Sequence, residues 1–143
     1  MSSSVGRAWG WMAAVVIAHL VVSMAHGAAH TGAQVPLSPL ANLFVYTIIL
    51  AGPLAGLALS WPARQAGSWL VAVTMAASFV FGLVNHFAIA SPDHVAHVQQ
   101  QWRMLFTTTA VLLAVTELLG SILAIRVVRE VKNEPSHLVG KPL

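Results

Sequence analysis

The sequence predicts an all-α integral membrane protein: a four-helix transmembrane bundle of antiparallel neighbours with both termini cytoplasmic. Charge is the first reason. Only 8% of the 143 residues are Asp, Glu, Lys or Arg, against roughly a quarter in a soluble domain. The second is where charge is missing. None lies between Arg7 and Arg64 or between Arg64 and Asp93, and Glu117 alone interrupts the run from Arg103 to Arg126. A soluble fold built from such runs would show water a largely apolar surface. The third is the placing of Trp9, Trp11, Trp61, Trp69 and Trp102 at the ends of the apolar runs, where an amphipathic indole settles at the membrane interface.

The spans follow from these limits: about 9–29, 40–60, 69–90 and 104–128. At about 1.5 Å per residue each crosses a hydrocarbon core roughly 30 Å thick. The linkers 30–39, 61–68 and 91–103 carry Pro or Gly. Residues 1–130 thus form one transmembrane domain, and 131–143 a short cytoplasmic tail in which His137 is inert. A competing reading of the first span is a signal peptide cleaved after Ser23-Met24-Ala25, leaving His26 as a new N-terminus; the length of the apolar run and the presence of His19 favour an uncleaved helix. Arg7, Arg64, Arg126, Arg129, Lys132 and Lys141 fall on one side and Arg103 on the other, so the positive-inside tendency places both ends in the cytoplasm, in a bacterial-type inner membrane.

Helices in lipid associate through small residues, because lipid supplies no hydrophobic drive. The second span offers Gly52, Gly56 and Ser60 beside Pro53, which is expected to kink it; the same stripe is a candidate homo-oligomer seam. The third offers Thr74, Ser78 and Gly82, leading to His86. The fourth offers Ala110, Ala114, Glu117, Ser121 and Ala124, and the first Met12, Val16, His19, Ser23, His26 and His30. Steps of three and four mark helix faces that turn to a common interior.

Two groups of ionisable residues stand on those faces. His19 and Glu117 lie at equal depth, and a midplane carboxylate needs a partner or a proton, so they are expected to form a buried proton-active pair or a plain interhelical hydrogen bond. The second group is at the opposite end. His26 and His86 each follow a span-starting Trp by 17 residues on helices running the same way, so their imidazoles share a depth near the outer interface. His30 lies one turn above His26. Ser91-Pro92 reads as an N-cap and first helical position, which puts His94 and His97 one turn apart on a short helix or an extension of the fourth span, beside Asp93 and Asn85.

Imidazoles at such spacings present nitrogens to one ion. His26, His30, His86, His94 and His97, with Asp93 as ligand or orienting acceptor, form a nitrogen and oxygen set that suits Zn, Cu(II) or Fe(II). Taken one at a time, a His at an interface is more often an amphipathic surface residue. An alternative uses His26 and His86 as axial ligands of haem b with Arg103 on a propionate, an arrangement that resembles membrane b-type cytochromes without any longer motif of that class. The absence of cysteine excludes thiolate sites and covalent haem. No phosphate loop or hydrolase motif is present, and seven basic residues without interleaved aromatics exclude a nucleic-acid surface. The expectation is a small membrane protein with a His-rich transition-metal site at the extracytoplasmic mouth. The alternatives are a haem carrier or small subunit of a respiratory complex, and a non-catalytic accessory subunit with incidental histidines.

Overall fold

The structure is a computed structural model that describes residues 3–134; the tail beyond, with His137 and Lys141, lies outside the described residues. Four helices are long and apolar enough to cross a membrane: α1 (Ser3–Ala33), α2 (Pro39–Leu59), α3 (Arg64–Ala88) and α4 (Gln100–Lys132). No strand occurs among the described residues.

Local chemistry sets most of the ends. α1 continues past its apolar run, unbroken across Ser23–Ala25, until Gln34 adopts a left-handed conformation (φ 55°), with Pro36 two residues on preventing resumption. Ser38 caps α2 by accepting from the Ala41 amide at 3.2 Å, and Pro39 takes the first helical position, where its missing N–H costs nothing. α2 is not sharply broken at Pro53. Its turns over Val45–Ala51 widen to π-helical geometry instead, and the α-helical path resumes at Gly52. α3 ends in a second π-helical segment, Val84–Ala88, closed by the Ile89 amide on the Val84 carbonyl at 3.0 Å.

α4 packs between α1 and α3, and α2 lies on the far side of α3. α2 reaches α1 chiefly through its last segment, Gly52–Leu59, so the other halves of α1 and α2 stand apart. One apolar core, at the arginine-bearing end, joins Ala8, Met12 and Val16 to Val71, Met75, Ala124 and Val127. Ala29, Ala33, Val98 and Phe106 form a smaller one at the other end. Polar residues occupy the level between: His19, His26, His86, Thr109 and Glu117 are all buried. Large apolar side chains such as Trp11, Val21, Met24, Tyr46, Leu112 and Ile122 face outward.

The small residues of α2 are used within the chain. A Cβ on Gly52 would stand 2.6 Å from the Thr74 methyl and one on Gly56 2.8 Å from a Val71 methyl, while one on Gly67 would strike the backbone of Ser60. Ser60 is fully buried and accepts from Trp9 Nε1 at 2.8 Å. Gly52, Gly56 and Ser60 therefore seat α2 on α3 and α1.

Candidate metal site

Three imidazoles from two helices meet beneath the loop between α3 and α4. His26 and His30 come from successive turns of α1, with ring centroids 4.8 Å apart. His86 comes from the π-helical end of α3, and its ring lies 4.9 Å from His26 and 6.0 Å from His30. Each ring offers one nitrogen, and the three nitrogens all lie within 4.8 Å of one another. Phe106 of α4 closes the side, with its ring 4.7 to 5.4 Å from the three imidazoles. These three histidines, His26 and His86 buried and His30 half-buried, can hold a metal ion.

Hydrogen-bond partners limit where the ring protons sit. His26 Nδ1 is 2.8 Å from Thr109 Oγ1, and the Thr109 hydroxyl already donates to the carbonyls of Leu105 and Phe106 at 2.8 and 3.0 Å. The Thr109 oxygen can accept from His26 Nδ1–H while its hydroxyl hydrogen stays on those carbonyls, or donate to that nitrogen in the other tautomer. His86 Nδ1 is 3.0 Å from the Asp93 carbonyl, which can only accept, so this nitrogen carries its hydrogen. The two Nε2 atoms face each other across 3.2 Å, the reach of an N–H···N hydrogen bond. A tetrahedral ion with Zn–N bonds of about 2.0–2.1 Å sets its ligand nitrogens about 3.3 Å apart, so the gap also matches two ligands on one ion.

Asp93 ties the loop to the site. Its Oδ1 is 3.1 Å from His30 Nε2 and 3.4 Å from His86 Nδ1, buried and without a hydrogen bond of good geometry to either. Burial pushes the carboxyl up, but the close approach and charge of His86, followed by the charges of His30 and His26, outweigh it and hold Asp93 below the ordinary carboxylate range. His30 Nδ1 faces the Val35 carbonyl at 3.4 Å. Acceptors behind the imidazoles fix ring orientation and raise basicity at the free nitrogen.

The structure brings together His26, His30, His86 and Asp93, and places the other sequence candidates elsewhere. His94 and His97 lie against each other with centroids 5.3 Å apart and planes inclined by 46°, and His97 Nδ1 bonds the Ser91 carbonyl at 2.7 Å. The short helix expected there is replaced by successive turns, with the His94 amide on Ser91 and the His97 amide on His94. Arg103 donates to the carbonyls of Val98 and Ala96 and so braces the loop. Asn85 donates to the Phe81 carbonyl. His19 and Glu117, expected to pair, share no hydrogen bond or ion pair among the described contacts: His19 Nε2 meets the Ile49 carbonyl at 3.1 Å, its Nδ1 lies 3.5 Å from Thr116, and Glu117 turns to the His86 side. Sequence reasoning missed Thr109 and Phe106. Thr109 had a legible signal, since it precedes Glu117 by two steps of four on one helical face.

No model of a known protein family matches the chain, and no curated protein or solved structure is significantly similar to it.

Proposed function

We propose that the chain is a transition-metal-binding membrane protein whose ion is held by Nε2 of His26 and His86 together with His30, with Asp93 and Thr109 orienting the rings. The observation that carries this reading is the meeting of three imidazole nitrogens within 4.8 Å of one another, with the Nε2 atoms of His26 and His86 3.2 Å apart. Three nitrogens without sulfur suit Zn, Cu(II) or Fe(II). The distribution of Arg and Lys favours an extracytoplasmic position for the site, with both termini inside a bacterial-type inner membrane.

The haem alternative uses His26 and His86 differently. Axial ligation needs a porphyrin plane between the two imidazoles, whereas these rings approach edge to face at 4.9 Å with Phe106 packed against both. A bare ion fits the space that is there.

The test is elemental mass spectrometry on protein purified in mild detergent without a His-tag, from cells supplied with copper, zinc and iron. Near-stoichiometric metal in the wild type, lost in the His26→Ala/His86→Ala double variant, is expected. Metal-free wild type, or full retention in the variant, would overturn the proposal. A Soret band would transfer the same residues to the haem reading.

A further inference from the structure

A cavity of about 350 Å³ opens beside the three histidines and runs down between α1 and α2. Its upper end is formed by His26, His30, His86 and Asp93, and its lower end by Glu117 of α4. The gap left where α1 and α2 stand apart gives it a side opening, flanked by Met24 and Tyr46, which are 69% and 64% exposed. At this level of a membrane-spanning bundle, what reaches such an opening comes from the bilayer.

The lining states what kind of molecule fits. Most of it is apolar, as a hydrocarbon tail requires. No Lys or Arg is among the described lining residues, while two carboxyls are, so a phosphate, sulfate or carboxylate head is disfavoured. Glu117 is 2% exposed, faces the cavity, and has no side-chain hydrogen bond among the described contacts. A buried carboxyl in that position lacks a partner that a neutral hydroxyl or carbonyl oxygen would supply. Gly82 makes the room for it. A Cβ at Gly82 would stand 3.9 Å from both Glu117 Oε2 and His86 Cδ2, so at most twice that distance separates the two, with no side chain of residue 82 between them.

We propose that this cavity binds a membrane-dissolved, uncharged molecule of the quinone or quinol class. Its oxygen-bearing ring lies between Glu117 and His86, and its tail passes out between α1 and α2. The site borders the proposed metal centre, but the inference stands on the cavity and on Glu117, and it does not need the ion.

Decylubiquinone serves as the probe, titrated calorimetrically into detergent-solubilised protein, with metal content measured on the same samples. Saturable one-to-one binding is expected. Two variants are read independently, each checked for folding by its melting curve. Gly82→Leu fills the ring position and leaves every proposed ligand in place. Glu117→Ala removes the head contact. Each should weaken binding tenfold or more, and Gly82→Leu should retain its metal. Failure of metal-replete wild type to bind, or unchanged affinity in a folded variant, would overturn the proposal. Equal competition by oleate would also overturn it, since an anionic head would then be accepted. Saturable quinone binding in protein without metal would refute the metal reading alone, and full metal content without quinone binding would refute this inference alone.

Discussion

His19 on α1 bonds the carbonyl of Ile49 on α2, one turn ahead of Pro53. Pro53 has no N–H to give to the oxygen of Ile49, four residues earlier, and His19 Nε2 stands 3.1 Å from that oxygen. The contact accounts for a buried histidine in an apolar span without assigning it chemistry. His19→Ala should destabilise the bundle by about 1–3 kcal/mol, the cost of an unpaired buried carbonyl. In a Pro53→Ala background the helix regains the amide, and the same change should cost less. Reversible unfolding in micelles, analysed as a double-mutant cycle, measures the coupling.

Thr109→Val removes the acceptor behind His26 and keeps the side-chain volume nearly constant. Metal affinity should fall about 10–100-fold, while Thr109→Ser should stay close to wild type. Competition with a chelator of known affinity reports both. Equal affinity in the valine variant would show that Thr109 does not orient the ligand.

Asp93→Asn keeps the backbone carbonyl that holds His86 but replaces the carboxylate beside His30. Affinity should again fall within that 10–100-fold range, with protein yield and melting unchanged in the metal-free state. Chelator competition at fixed pH is the measurement. A variant that binds as tightly as wild type would confine Asp93 to holding the loop.

Gly67→Ala should be costly, because a methyl there meets the backbone of Ser60 and the Gly56 carbonyl. Backbone cannot rotate away as a side chain can, so a loss of about 1–3 kcal/mol is expected in the same unfolding assay. Gly10→Ala and Gly27→Ala, whose Cβ atoms would meet nothing within 4 Å, are the matched controls and should be near neutral.

The spans and the shared level of His26 and His86 were legible because both depend on depth alone. A fixed rise per residue carries two histidines, each 17 residues beyond a Trp, to one level on helices that run the same way. The expectation for His19 and Glu117 rested on the same rule and went astray in azimuth. α4 turns Thr116 toward His19, and Glu117, about 100° further round, faces the cavity instead. Which neighbour a face meets depends on the order of helices around the bundle, and no local pattern encodes that order. The loop histidines failed for another reason. Ser91-Pro92 has the residues of a helix start, but tertiary contacts from His86 and Arg103 to the carbonyls of Asp93, Ala96 and Val98 hold the segment in turns. Helix ends also ran beyond the apolar limits, since α1 and α4 continue into residues that carry charge and nothing local stops them.

The seating of α2 is uneven along its length. Close backbone contact at Gly56, Gly67 and Ser60 anchors one end, while the other stands off from α1. The far half is held instead to α3, where Phe44 stacks on Phe81 with ring centroids 4.7 Å apart. The bundle is thus sewn shut along three seams and left ajar along part of the fourth, the one between α1 and the first half of α2.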